Sequence, residues 1–217
     1  TMTTISKSAF ITGTSVLMVP MFMALFLKRM PDRSSLLGAF MAFIGLGLMT
    51  LTGGSSDAGS AGSLNLGDFL TLIAAVGFAL YILSVGKYTQ VVDSVPFAIV
   101  QLGTVAVFSG ITSLIFETPV VPTGGNTWFA IMFLAIVCTS LAFIVQNVAQ
   151  KYTTSTHTAL IFSGEPVFAA MFAYVAVGEV LGTNGIIGGG LILLGMLAAE
   201  LNLVDKLTKR QKASEAA

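Results

Sequence analysis

The sequence contains little charge of either sign. Lysine, arginine, aspartate and glutamate together make up 9% of its 217 residues, while 55% are hydrophobic. A soluble domain carries about 25% charged residues, so this chain could not cover a soluble surface with polar groups. Disorder is excluded as well, because disordered chains are poor in apolar residues and rich in net charge, and the net charge here is zero. The composition indicates a membrane protein.

Residues and motifs that carry chemistry are also scarce. Cys138 is the single cysteine, which excludes an internal disulfide and a cysteine-rich metal site. His157 is the single histidine, and no cysteine or carboxylate stands near it at metal-ligand spacing. The sequence has no HExxH, GxSxG or CxxC motif and no phosphate-binding loop. We therefore expect no enzyme activity, no cofactor, no metal, no nucleic-acid partner and no ATP-driven step.

Long apolar runs are abundant instead. A membrane-spanning helix needs about 20 mostly apolar residues, whereas a spanning strand would be about ten residues of alternating polarity. Seven runs are long enough for helices, at residues 10–27, 36–51, 69–85, 95–116, 128–148, 159–177 and 186–203. The predicted fold class is all-α integral membrane with seven transmembrane helices, and the lipid bilayer is its first expected partner.

The basic residues predict the orientation of these helices. Nine of the ten fall in the first, third and fifth connectors or in the tail after the last helix, and Lys7 is the exception. Loops rich in lysine and arginine face the cytoplasm. We therefore expect a multi-pass protein of the cell inner (plasma) membrane, with residues 204–217 forming a basic cytoplasmic tail and residues 52–65 a Gly/Ser-rich extracytoplasmic linker.

A weak internal repeat relates the first two runs to the last two. Residues 3–51 align with residues 153–201 without a gap, and the matched positions include Gly38 with Gly188 and Gly45 with Gly195. We refer to the displacement from Thr3 to Thr153 as the repeat offset. An odd number of crossings separates the two copies, so they point in opposite directions. Inverted repeats are typical of secondary transporters, in which they surround a binding site near the midplane.

Several short motifs are similar to those of a known family. They are Phe78-Ala79-Leu80-Tyr81, Cys138-Thr139-Ser140-Leu141-Ala142, Ser163-Gly164-Glu165-Pro166-Val167, Gly178-Glu179 and the glycines between Gly188 and Gly195. Together they resemble the EamA-type permeases of the drug/metabolite transporter superfamily. The resemblance implies ten helices in two inverted five-helix repeats. It assigns residues 1–51 to the last two helices of the first repeat and residues 66–203 to a complete second repeat, so we expect three further helices before Thr1.

Glu165 is the acidic residue in the middle of an apolar run, where an ionised carboxylate is costly unless it is protonated, paired or facing water. Either it is a proton or substrate site, or it is a neutral structural acid beside a kink at Pro166. Other polar residues within the runs either line a hydrated cavity or join helices by hydrogen bonds. The candidate substrate-binding or cavity-lining residues are Tyr81, Gln101, Gln146, Asn147, Ser163 and Glu165.

Glycines at small-residue spacing let helices approach closely. The candidate helix-packing residues are Gly38, Gly45, Gly185, Gly188, Gly189 and Gly195.

The sequence thus favours a permease for a small metabolite, an amino-acid-like solute or a drug, with export as the expected direction and a proton or other ion as a candidate coupling partner. The alternatives are a polytopic membrane protein that does not transport, such as a receptor or an assembly subunit, and an inactive truncated permease. The inverted repeat separates these readings, because a receptor does not need inverted halves. The solute, the coupling ion and the oligomeric state are not encoded in any motif.

Overall fold

The computed structural model describes residues 5–28, 30–51, 66–118, 122–178 and 182–201. The predicted linker at 52–65, Glu179 and the basic tail at 204–217 lie outside the described residues. Within them, every regular element is helical, and the elements in chain order are α1 (Ile5–Gly13), α2 (Ser15–Phe26), α3 (Arg33–Leu51), α4 (Leu66–Tyr88), α5 (Ser94–Phe116), α6 (Gly125–Phe133), the π-helix π1 (Leu134–Leu141), α7 (Ala142–Gln150), α8 (Ser155–Phe162), α9 (Glu165–Val177) and α10 (Thr183–Glu200).

The predicted fold class is confirmed. In the part of the chain that the structure describes, seven helical segments are long and apolar enough to cross a membrane, and they begin at Ser8, Arg33, Leu66, Ser94, Gly125, Ser155 and Thr183. Each span starts slightly before the predicted run. The reason is that small polar residues open most of these helices, and they do not count towards an apolar run.

The described chain divides into two compact units. Unit one contains α1 to α3, α4 as far as Leu83, and α8 to α10, while unit two runs from Ser84 to Thr153. The core of unit one is built from small and branched residues, with Val19, Ala42, Ile82 and Ile192 completely buried.

In unit one the most extensive contact joins α3 and α10 at two glycine pairs. A Cβ atom added to Gly38 would lie 2.5 Å from the carbonyl oxygen of Gly195, and one added to Gly45 would collide with the carbonyl oxygen of Gly188. Gly38, near the start of α3, meets Gly195, near the end of α10, and Gly45, later in α3, meets Gly188, earlier in α10. The two helices therefore run antiparallel. Backbone contact of this kind requires the absence of a side chain.

The two copies of the sequence repeat have matching helix bounds in unit one. α1, α2 and α3 begin at Ile5, Ser15 and Arg33, and α8, α9 and α10 begin at Ser155, Glu165 and Thr183. Every start in the second copy follows its counterpart by the repeat offset. At the repeat offset, Gly38 corresponds to Gly188 and Gly45 corresponds to Gly195. The contact of Gly38 with Gly195 is therefore equivalent to the contact of Gly188 with Gly45, as it would be across a two-fold axis.

The copies also share the conformation that follows α2 and α9. Lys28 has a positive φ of 51°, and Gly178, its counterpart at the repeat offset, has a φ of 71°. A left-handed residue after a helix is a common way to end it, and glycine is preferred there because it has no Cβ. Lysine at this position costs about 1–2 kcal/mol. The sequence departs from the Gly-Glu of the resembling family at this residue, and the departure leaves the backbone unchanged.

We therefore expect Lys28→Gly to stabilise the protein by about 1 kcal/mol, because it removes a left-handed side chain. Gly178→Ala is the matched control and should destabilise the protein by a similar amount, since it introduces the strain that Lys28 already bears. Thermal unfolding of the two variants in detergent measures both effects. A lower melting temperature for Lys28→Gly would contradict the assignment.

Unit two contains a π-helix in the middle of its longest span. The hydroxyl of Thr139 donates to the carbonyl of Leu134 at 3.0 Å, and the hydroxyl of Ser140 donates to that of Ala135 at 2.8 Å. Both bonds reach to the fifth residue back, which is the spacing of π-helical backbone bonds. The two hydroxyl groups thus provide additional hydrogen bonds to carbonyl groups of the π-helix.

Candidate functional site

The first span of unit one is interrupted near its middle. α1 ends at Gly13 and α2 begins at Ser15, and the ψ of −20° at Thr14 between them is typical of a tighter turn than the α-helix makes. The Thr14 N–H donates to Ile11 O at 3.1 Å, and the Leu17 N–H donates to Thr14 O at 3.0 Å. These tight bonds replace the regular bonds to the fourth residue back, so the span consists of two half-helices.

The sixth span is interrupted in the same way, at the position that the repeat offset assigns. Gly164 has a ψ of −15°, its N–H donates to Ile161 O at 3.0 Å, and the Val167 N–H donates to Gly164 O at 3.0 Å. Each of these bonds is the counterpart of one at Thr14. A hydroxyl supports each break, because Thr14 Oγ1 donates to Ile11 O at 2.6 Å and Ser163 Oγ donates to Leu160 O at 2.5 Å.

Glu165 and Pro166 open α9 immediately after the second break. The sequence predicted a kink at Pro166. The structure places Pro166 in the first turn of a new helix, a position in which proline is well tolerated because its missing N–H has no helical partner. The Ser163–Gly164 turn accordingly separates the half-helices before the proline.

A cavity of about 580 Å³ within unit one lies between the two breaks. Most of its lining residues come in pairs that are related by the repeat offset, namely Ala9 and Ala159, Thr12 and Phe162, Gly13 and Ser163, Ser15 and Glu165, and Val16 and Pro166. Ser8, Leu46, Phe78 and Ala169 complete it. Both copies of the repeat therefore line the cavity with equivalent positions, and each contributes the first residues of its second half-helix.

Two of the cavity's polar side chains occupy equivalent places but differ in character. Ser15 is only 7% exposed, while the carboxylate side chain of Glu165 is exposed. Both stand at the start of a half-helix, where unpaired backbone N–H groups give a partial positive charge. Such half-helix ends bind polar and charged parts of a solute in transporters.

The structure separates the predicted site residues into two groups. Ser163 and Glu165 line the cavity in unit one. Tyr81 lies half-buried on α4 and stacks on Phe78, a lining residue, with ring centroids 6.0 Å apart. Tyr81 is not among the described lining residues, and it contacts the lining through Phe78.

Gln101, Gln146 and Asn147 belong to unit two, where they take part in two separate pairs of amide side chains. Asn147 is completely buried and its amide donates to Gln101 Oε1 at 3.0 Å and to Phe143 O at 2.7 Å. Gln146 donates to Gln150 at 3.4 Å. Asn147 thus joins α5 to α7 by a hydrogen bond, and a role of these three residues in solute binding stays a prediction.

The predicted packing glycines also fall into two groups. Gly38, Gly45, Gly188 and Gly195 form the crossing of α3 and α10, while Gly185 is buried on α10 and Gly189 faces Val167 of α9. A Cβ added to Gly189 would lie 3.7 Å from Val167, an ordinary contact. This glycine therefore requires no backbone contact, unlike the four at the crossing.

Ser15, Thr12 and Phe78 line the cavity but were not predicted as site residues. Small hydroxyl and aromatic residues barely change the hydropathy of an apolar run, so composition does not reveal them. The repeat offset indicates Ser15, the counterpart of Glu165, and Gly13, the counterpart of Ser163. No comparable sequence signal indicates Thr12 or Phe78.

His157 connects three helix ends in unit one. Its Nε2 lies 2.9 Å from Ser35 Oγ, at the start of α3, and its Nδ1 lies 3.7 Å from a carboxylate oxygen of Glu200, at the end of α10. No cluster of three or more potential metal ligands occurs among the described residues. His157, near the start of α8, therefore contacts the start of α3 and the end of α10.

Comparison with protein families gives a match over most of the chain. The model of the EamA-like transporter family matches residues 65–199. The resemblance seen in the short sequence motifs is thereby confirmed.

Two curated relatives extend the match to nearly the whole chain. An uncharacterized transporter of Archaeoglobus fulgidus is 28% identical over 201 residues, which cover 93% of this chain and 62% of that protein. The uncharacterized transporter YyaM of Bacillus subtilis is 28% identical over 221 residues, covering 95% of this chain and 68% of that protein. The chain thus spans about two thirds of the length of these relatives.

A solved structure shares the fold. One crystal structure aligns with a TM-score of 0.79 at 20% sequence identity and covers 95% of this chain and 70% of its own. At this identity the likeness concerns the arrangement of helices and carries no information on the solute.

Proposed function

Because the chain belongs to the EamA-like transporter family, we propose that it is a secondary transporter that moves a small organic solute across the cell membrane through the cavity between the two broken helices. The solute is a metabolite, an amino-acid-like compound or a drug, and export is the proposed direction. No reaction is catalysed in this proposal.

The observation that carries the proposal is the paired interruption of α1–α2 and α8–α9. Interrupting a membrane helix leaves backbone groups unpaired, which is tolerated where they face protein or a water-filled cavity. Here the two interruptions recur at equivalent positions and both border one cavity. Interrupted helices at corresponding places in two repeats are the best structural pointer to a transporter's binding site.

The energy source in this proposal is a gradient of the solute itself or of a coupling ion, with Glu165 as the candidate proton carrier. The proposed location is the plasma membrane with the C-terminus in the cytoplasm, following the distribution of basic residues. A reporter that is active only in the cytoplasm should therefore work when it is fused after Lys212. Inactivity at that site would reverse the orientation.

The proposal is tested by comparing solutes in the medium and in the cytoplasm of cells that do and do not express the protein as its gene encodes it. An exporter lowers the cytoplasmic level of at least one small compound and raises its level in the medium. Mass spectrometry of both compartments would identify that compound. Unchanged profiles under several growth conditions would favour the alternative of a membrane protein that does not transport.

A further inference from the structure

The described side chains that line the cavity carry formal charge of one sign. Glu165 is the acidic residue among them, and this described lining contains no lysine, arginine or histidine. In the described part of the chain, no basic side chain lies within ion-pair distance of Glu165. A carboxylate within the membrane is stabilised by a partner of opposite charge, by a proton or by water in a cavity. Glu165 is exposed in the cavity, so a cation that enters can pair with it.

Two aromatic rings share the cavity with this carboxylate. Phe78 and Phe162 both line it, with centroids 5.7 Å apart and ring planes at 68°. In this edge-to-face arrangement the two ring faces point in different directions. The face of an aromatic ring attracts cations and packs equally well on apolar groups.

The two copies of the repeat differ at one lining position, where the first copy has Ser15 and the second has Glu165. This difference limits the number of positive charges that the cavity can pair with. A cavity with glutamate at both equivalent positions would carry two carboxylates and would suit a dication. This cavity has one carboxylate and, opposite it in the repeat, a hydroxyl that has no hydrogen-bond partner among the described residues. A solute with one positive charge and an apolar body matches both features.

We infer that the cavity selects small organic monocations, meaning protonated amines whose ammonium group pairs with Glu165 and whose apolar part packs against Phe78 and Phe162. Anions are disfavoured, because they would face the full negative charge of Glu165, whereas the half-helix ends carry only partial positive charge. This inference rests on the proposed function, since it assigns a substrate class to the same cavity. A volume of about 580 Å³ accommodates an amine with one aromatic ring.

The test uses three probes that share a phenyl ring and differ in charge: phenethylamine, 2-phenylethanol and phenylacetate. Their binding is measured by equilibrium dialysis of radiolabelled compound against the protein in lipid nanodiscs at neutral pH. We expect the amine to bind about tenfold more tightly than the alcohol, and phenylacetate to bind most weakly. Glu165→Gln should lower the affinity for the amine to that for the alcohol and leave the alcohol unaffected.

Two further variants keep the result interpretable. Glu117→Gln removes a carboxylate at the end of α5, outside the cavity, and should bind all three probes as the parent does. Glu165→Asp retains the charge and should retain the preference for the amine, so it replaces Glu165→Gln as the informative variant if the glutamine protein fails to fold.

Three outcomes would overturn the inference: no binding of the amine, equal binding of the alcohol or the carboxylate, or amine binding that persists undiminished in Glu165→Gln. Each leaves the proposed function intact if expression still changes the cellular solute profile. If that profile stays unchanged while the amine binds through Glu165, the proposed function fails and the cation site stands.

Discussion

Gly188→Ala is expected to lower the free energy of unfolding by about 3 kcal/mol, near the upper end for overpacking of a well-packed contact. The added Cβ would collide with the carbonyl oxygen of Gly45 and would lie 2.8 Å from the backbone nitrogen of Met49. Both atoms belong to the backbone of α3, so no side-chain rotation can relieve the contact. The helices would have to move apart along the most extensive interface of unit one.

Gly190→Ala is the matched control on the same helix. A Cβ at Gly190 meets no atom within 4 Å, so this change should leave stability unchanged or raise it by up to about 1 kcal/mol through helix propensity. Unfolding by titration with SDS, followed by circular dichroism, measures both variants. Equal stability of Gly188→Ala and Gly190→Ala would show that the glycines do not hold α3 against α10.

Ala169→Trp is expected to abolish transport while the protein stays folded. Ala169 lies on α9 one turn after Glu165, is exposed and lines the cavity, so an indole ring can be placed there without displacing the backbone. The ring would occupy the space next to the carboxylate and exclude a solute of similar size. The level of exported compound should fall to that of cells without the protein.

Ala176→Trp provides the control for this change. Ala176 lies on the same helix, is also exposed and does not line the cavity, so its variant should export within about twofold of the parent rate. The same comparison of medium and cytoplasm measures both variants. Export by Ala169→Trp at the parent rate would mean that the solute does not pass through this cavity.

The helices could be predicted because their signal is large and local. Seven runs of about 20 apolar residues leave little choice in a bilayer, and all seven spans are present. The interruptions had no comparable signal. Thr14 is a polar residue in a sequence of small residues with no proline beside it, and a tight turn of this kind depends on which carbonyls the hydroxyl can reach in the folded protein.

For a similar reason, the sequence predicted the lining residues Ser163 and Glu165 of the second copy but not Ser15 of the first. Glu165 is visible because a carboxylate in an apolar run is energetically unfavourable. A serine in an apolar run has little energetic cost, so Ser15 gives no such signal. It is notable because it is the counterpart of Glu165 in the first copy of the repeat. Amides were harder still, because Asn147 gives the same sequence signal whether it lines a cavity or bonds to Gln101 on a neighbouring helix.

In the proposed transporter, the breaks at Thr14 and Ser163–Gly164 border a water-filled cavity that a solute can enter. Replacing Cys138 by serine, and Thr12, an exposed lining residue, by cysteine, places a single thiol in that cavity. The measurement is the reaction of this thiol with a membrane-impermeant, water-soluble reagent. Val107→Cys in the same background is the control, because Val107 is exposed on the apolar α5. We predict that the cysteine at position 12 reacts, that the one at position 107 does not, and that adding Ala169→Trp suppresses the reaction at position 12. An unreactive cysteine at position 12 in the folded protein would contradict the presence of a water-filled cavity between the breaks.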